Sequence, residues 1–146
     1  MKKLLLIFIT LILLAGCQKK FTGVYNFNNN PNEVIKFFDG SNYAIATKEV
    51  DGNKGCLIVT EGNYEYKNRL LILNNKHWYK MYDPSETDHE LIQLDLTIVY
   101  KIDSDQDEFI YAEIHDVYKR DGEFRDDEKQ VVTSMIGNKV LFCKIN

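Results

Sequence analysis

The residue types that most often carry catalysis or hold a metal ion are scattered through this sequence. Its three histidines, His77, His89 and His115, lack the short spacing that places two of them on one metal ion. No serine lies in a glycine-rich nucleophile turn, and no glycine-rich phosphate loop occurs. We therefore expect a protein that is not an enzyme, with no catalytic residues, no metal site and no cofactor.

One acidic segment begins like a calcium-binding loop. Residues 103–107 read Asp-Ser-Asp-Gln-Asp, an alternation of carboxylates that suits a hard cation. The match to an EF-hand loop then fails, because Glu108 stands where glycine is needed and Ile114 where glutamate is needed. We interpret this segment, and the acidic residues 126–128, as solvated surface, the second also suited to a helix start.

The amino-terminal segment has the three parts of a secretory signal peptide. Lys2 and Lys3 supply a basic start, residues 4–14 form an apolar run broken only by Thr10, and small residues follow. Eleven helical residues rise only about 16 Å. A bilayer core is about 30 Å thick. The segment is therefore predicted to be a targeting signal and not a membrane span.

The end of this segment, Leu-Ala-Gly-Cys at residues 14–17, resembles the lipobox of bacterial lipoproteins. The resemblance implies cleavage before Cys17, a diacylglyceryl group on its thiol and often a third acyl chain on its new amino group. Such chains anchor a protein stably in a membrane. Gln18 in place of aspartate implies the outer membrane, on its periplasmic side or surface, where a bacterium has two membranes. The expected location is therefore the bacterial cell envelope.

The predicted organisation is a signal peptide at 1–16, a lipidated cysteine with a short tether at 17–20, and a single domain at 21–146. Loss of two lysines with the signal takes the formal charge from −4 to −6. An acidic domain does not suit nucleic acid.

The two remaining cysteines form an even pair in an oxidising compartment. We predict a disulfide between Cys56 and Cys143 on that ground. The alternative is a pair of buried, unpaired thiols on separate strands.

Alternating and turn-rich segments predict a mostly β fold, an antiparallel meander that forms a small barrel or sandwich. The clearest strand is residues 90–102, where apolar residues occupy every second position. Residues 74–76, Asn-Asn-Lys, predict a turn between two short strands. The carboxyl-terminal third is open between a short helix ending at Gly137 and a strand at 131–136.

Three stretches resemble small lipocalin-like barrel lipoproteins of bacteria. They are Gly-Val-Tyr at 23–25, the hairpin at 37–43, and Gly-Asn-Tyr at 62–64 with the leucine-rich segment at 70–73. Tyr25 stands where that family carries tryptophan. The resemblance implies a barrel fold and, by analogy, ligand binding.

Aromatic residues after the predicted turn form a candidate binding surface. Strand alternation places Trp78 and Tyr82 on one face and Tyr79 on the other. Aromatic side chains serve both ligand cavities and partner surfaces.

Two hypotheses for the function follow, both non-enzymatic. The first is a membrane-anchored envelope lipoprotein that binds a small apolar ligand or a protein partner. The second is an inhibitor or immunity lipoprotein that neutralises a toxin or a lysozyme-like enzyme, or a structural envelope lipoprotein. An inhibitor surface would require the acidic segments 103–108 and 126–128 to lie together.

Overall fold

A computed structural model describes residues 21–83, 85, 89–106 and 108–145. The predicted signal peptide, the lipidated Cys17 and the tether to residue 20 lie outside the described residues. Within the described part of the chain, no helix is long and apolar enough to cross a membrane.

The chain folds into a closed antiparallel β-barrel of eight strands in chain order, β1 to β8. Each strand pairs with the next, and β8 closes the ring by pairing with β1. The strands are β1 (Gly23–Phe27), β2 (Asn30–Phe37), β3 (Asn42–Asp51), β4 (Lys54–Lys67), β5 (Leu70–Met81), β6 (Ile92–Asp105), β7 (Phe109–Lys119) and β8 (Lys139–Ile145). One helix, α1 (Asp126–Met135), lies between β7 and β8. The predicted mostly β fold is confirmed, and closure gives each of the eight strands a partner on both sides.

The connections alternate between the two ends of the barrel because neighbouring strands run in opposite directions. We call one end the mouth; it carries the turns after β1 and β3, the β5–β6 connection and α1. The opposite end, the base, carries Phe21 at the start of the described chain and the turns after β2, β4 and β6.

Aromatic rings close the base. Phe21 packs with its ring 4.9 Å from Tyr66 and 5.4 Å from Phe37. The Tyr64 hydroxyl donates to the Phe21 carbonyl at 2.7 Å. The buried core consists of Phe21, Tyr25, Phe27, Ile35, Phe37, Tyr43, Tyr64, Leu71, Leu73, Tyr100, Ile102, Ile110, Ala112, Ile114, Val117 and Phe142. Because the core and the ring closure both lie within residues 21–145, a chain that starts at Gln18 carries the complete fold.

The predicted turn at residues 74–76 is wrong, and β5 runs through it as a bulge. The register shifts between Asn75 and His77, opposite Gly62 of β4. The inward amide of Asn75 finds two partners: the Tyr43 hydroxyl donates to its Oδ1 at 2.5 Å, and its Nδ2 donates to the Leu96 carbonyl at 3.1 Å. Residues 74–76 locally favour a turn, but these tertiary hydrogen bonds hold them in a strand.

The helical alternative for the carboxyl-terminal third is correct, and the strand at 131–136 is wrong. Glu128 in the first turn of α1 accepts the Arg125 backbone N–H at 2.8 Å and pairs with Lys119 of β7 at 2.8 Å. Glu128, Val132 and Met135, at helical spacing, form its half-buried stripe. These contacts place α1 against β7.

The predicted disulfide between Cys56 and Cys143 is wrong. Both cysteines are free and buried in the described chain. Cys56 lies on β4 near the mouth, whereas Cys143 lies on β8 between β1 and β7. On an eight-strand ring, β4 and β8 stand on opposite sides. The alternative of unpaired thiols on separate strands is therefore the correct one.

Candidate functional site

A row of inward-facing side chains climbs from the closed interior to the mouth. Ile35, Ile45, Thr60, Trp78 and Ile92 are cross-strand partners from β2 to β6. Ile35 is completely buried, whereas the exposed fraction of Ile92 is 42%. The three between them are half-buried. Inward positions that are only half-buried indicate that the upper interior is less filled than the base; we call this region, lined by the row, the cup.

Further apolar side chains complete the cup. Leu96 and Ile98 of β6, with Val132 and Met135 of α1, are partly buried and pack against the core. None of the residues of α1 is fully buried. The helix therefore rests on the barrel through one partly exposed stripe.

The barrel wall is shorter beside α1 than elsewhere at the mouth, because β8 starts midway along β7. The Ile114 N–H donates to the Asn138 carbonyl at 2.9 Å, just before β8 begins. Residues of β7 beyond that point have no partner in β8. The salt bridge from Lys119, at the end of β7, brings α1 to this side of the mouth.

Several charged side chains occupy inward positions near the cup, and Glu49 and Asp51 of β3 are among them because they alternate with Thr47. Lys80 pairs with Asp51 at 2.8 Å, and Lys119 pairs with Glu128 at 2.8 Å. Glu33 is half-buried and makes no hydrogen bond or ion pair with another described residue. Burial raises the pKa of the Glu33 carboxyl above its usual value.

The structure separates the three aromatic residues predicted to form one surface. Trp78 lies in the inward row, so it contributes to the cup. Tyr79 faces outward: its ring stacks on His89 at 4.6 Å, and its hydroxyl donates to Glu61 at 3.2 Å. Tyr82 lies beyond the end of β5, where its hydroxyl donates to Asp51 at 2.7 Å. Alternation was right about opposite faces for Trp78 and Tyr79, but the predicted single surface is wrong.

A separate apolar pocket of about 390 Å³ lies at the rim. It sits on the outer ends of β3, β4 and β5, next to the β3–β4 turn. Its lining residues are Lys48, Glu49, Gly55, Cys56, Leu57, Met81 and Tyr82. It brings Tyr82 and the buried thiol of Cys56 to the same edge of the barrel.

The outer wall carries a polar cluster in place of a histidine site. His77 Nε2 lies 2.9 Å from Glu61 Oε2, beside surface pockets of about 280 and 450 Å³. No group of three or more histidine, cysteine or acidic side chains within the described chain is arranged to hold a metal ion. His89 stacks on Tyr79, and His115 lies elsewhere, on β7.

The larger outer pocket is built around a structural arginine. The Arg120 guanidinium donates to the carbonyls of Asn75 at 2.6 Å and Leu94 at 2.9 Å, and pairs with Asp95 at 3.4 Å. These bonds tie the end of β7 to β5 and β6. The guanidinium is therefore held by hydrogen bonds and an ion pair within the protein.

The two acidic segments lie at opposite ends of the barrel. The described residues of the first segment, 103–106 and 108, lie at the β6–β7 connection at the base, where Asp103 pairs with Lys139 at 2.9 Å. Residues 126–128 begin α1 at the mouth. The single acidic surface required for the inhibitor hypothesis is therefore not formed.

Glu33 was missed by the sequence analysis. The available signal is its spacing, two residues before Ile35 and four before Phe37, which puts a carboxylate on the inward face of an otherwise apolar alternation.

Fold and site together define a small antiparallel barrel, closed at its base, with a half-buried row of mainly apolar side chains towards its mouth. Comparisons with protein-family models, curated proteins and solved structures find no match to this chain. Its function has to be inferred from the chemistry of the site, since a fold by itself does not determine one.

Proposed function

We propose that this protein is a non-enzymatic lipoprotein of the bacterial envelope, anchored through Cys17, whose barrel binds a small apolar ligand in the cup. The observation that supports it is the half-buried inward row above a closed aromatic base. Ligand sites of small barrels lie in the mouth and are mainly apolar, with few polar groups. A mature chain with a tether of only a few residues would hold this barrel close to the membrane.

The apolar cup sets the expected affinity. An alkyl chain gains about 0.8 kcal/mol for each buried CH₂ group. A chain of about twelve carbons therefore gains roughly 10 kcal/mol before the loss of translational and rotational freedom is subtracted. We expect dissociation constants in the micromolar range.

The binding test uses Trp78, the only tryptophan of the chain. The neutral probe N-phenylnaphthylamine is added to a chain starting at Gln18, and energy transfer from Trp78 is recorded. We expect saturable binding, because Trp78 belongs to the row that lines the cup. Thr60→Phe places a ring between Ile45 and Trp78 and is expected to weaken binding by about tenfold or more.

Glu65→Phe is the matched control, because Glu65 is exposed on the same strand, β4. This variant should bind the probe as the unaltered chain does. An unaltered chain that binds no probe, or a Thr60→Phe variant that binds equally well, would contradict a ligand in the cup.

The anchor is tested separately by Cys17→Ala in the full chain. This variant lacks the thiol that accepts the diacylglyceryl group, so it should incorporate no labelled palmitate and should stay as an unprocessed precursor. Cys56→Ala in the same cells is the control and should still be labelled. Palmitate labelling of Cys17→Ala at the level of the unaltered chain would refute the lipoprotein assignment.

A protein partner is the second candidate, favoured by an apolar strip on the outer wall. Phe109, Tyr111 and Ile145 are each more than one-third exposed, on the neighbouring strands β7 and β8. If the unaltered chain binds no probe in the test above, this strip becomes the leading candidate for a binding surface.

A further inference from the structure

We infer that the cup selects an apolar ligand with a cationic head, of the long-chain amine class, whose ammonium group pairs with the Glu33 carboxylate. This inference rests on the proposed function, since it names the class of ligand that the same cup would take. Four features of the barrel support it: the inward position of Glu33, its lack of a partner, its relation to Tyr100, and the charge balance of the cup.

Glu33 occupies an inward position by strand register. It precedes the completely buried Ile35 by two residues, so both side chains leave β2 on the same face. It pairs across the sheet with Thr47, which is half-buried and two residues beyond Ile45. Glu33 therefore stands one step nearer the mouth than the buried floor.

Tyr100 is a second polar side chain that faces the interior, opposite the inward Leu71 and Ile114. Strands β2 and β6 are not neighbours in the ring, so their side chains can interact at short range only across the lumen. Burial, and after it the negative charge of Glu33, raises the pKa of the Tyr100 hydroxyl. That hydroxyl makes no hydrogen bond with another described residue. A half-buried carboxylate and a buried hydroxyl thus face the same lumen with unused hydrogen-bonding capacity.

Most of the remaining charges near the cup are paired. Lys80 is paired with Asp51 at the barrel rim, and Lys119 is paired with Glu128 on α1. Glu33 and, nearer the rim, the exposed Glu49 are inward carboxylates without an ion pair among the described residues, and of these two Glu33 is the half-buried one. A fatty-acid carboxylate placed there would meet a like charge, whereas an ammonium group would compensate a partly desolvated anion.

The apolar row begins at Ile35, one step deeper than Glu33, and extends towards the mouth. Ile45 and Trp78 lie on its path, and Ile92 lies at the rim. An alkyl tail that follows the row would cover half-buried apolar surface while its head lies beside Glu33 and Tyr100. The same arrangement would accept a neutral alcohol more weakly, through a hydrogen bond without the opposite charge.

The test measures displacement of N-phenylnaphthylamine near neutral pH by dodecylamine, dodecanol and dodecanoate, each below its micelle concentration. We expect dodecylamine to displace the probe best and dodecanoate worst. The two should differ by about tenfold or more, as for one charge-assisted pair. In Glu33→Gln, of almost the same shape, this ratio should fall towards one, whereas Glu65→Gln on the outer face should keep it.

The outcomes separate the inference from the function on which it rests. No binding of the probe to the unaltered chain would overturn the proposed function. Probe binding with equal displacement by dodecanoate and dodecylamine would overturn the inference alone, and so would a ratio that Glu33→Gln leaves unchanged. Should Glu33→Gln fail to fold, the order of the three ligands on the unaltered chain still decides the question.

Discussion

Replacing Gly62 with alanine should lower the free energy of unfolding by about 3 kcal/mol, at the upper end of the range for overpacked sites. A Cβ atom at Gly62 would lie 2.0 Å from the backbone oxygen of Asn74 and 2.9 Å from its carbonyl carbon. Both atoms belong to the β5 bulge, so relief would require movement of a strand and not of one side chain. Urea unfolding followed by circular dichroism measures the change.

Gly55→Ala is the matched control, because it lies on the same strand and a Cβ there meets nothing within 4 Å. Its free energy of unfolding should change by less than about 1 kcal/mol. Equal effects of the two substitutions would show that backbone approach at Gly62 does not limit the packing of β4 on β5.

Replacing Phe142 with alanine should cost about 4 kcal/mol of unfolding free energy, the usual cost of removing a buried phenyl ring. Its exposed fraction is 1%, and its ring lies 4.9 Å from Phe27 and 5.4 Å from Tyr100. It therefore joins β8 to β1 and to β6 across the core. Loss of the ring leaves a cavity where the barrel closes, and urea unfolding again measures the change.

Phe109→Ala tests the same chemical change at a site of different burial. The exposed fraction of Phe109 is 37%, and it lies beside Phe142 on the neighbouring strand, β7. Its removal should cost less than about 1 kcal/mol. A cost as large as that of Phe142→Ala would mean that the outer wall near the base carries a part of the packing energy that we assign to the core.

Local patterning predicted most of the strands. Two-residue alternation placed β6 within a few residues of its observed bounds, and the predicted hairpin at 37–43 correctly marked the β2–β3 connection. It also put Trp78 and Tyr79 on opposite faces. These features depend on neighbours along the chain or on strand geometry, so a single sequence is enough to predict them.

Patterning failed where distant residues override local preference. Residues 74–76 favour a turn, but Tyr43 and Leu96 supply the hydrogen bonds that keep Asn75 in β5. The helix at 126–135 could not be separated from a strand because its stripe is short and only half-buried. The site was predicted only in part: Trp78 was chosen for its type, whereas Glu33 was passed over.

The sequence by itself determined the mostly β class and predicted a single domain and the lipobox at Cys17, because each depends on residues close together in the chain; it left a barrel and a sandwich open. Tertiary structure decided which side chains share the lumen. Ring closure sets Cys56 and Cys143 on opposite walls and brings the inward Glu33 of β2 and Tyr100 of β6 to one lumen. Such proximity depends on the number of strands and on their stagger, which no spacing along the chain specifies.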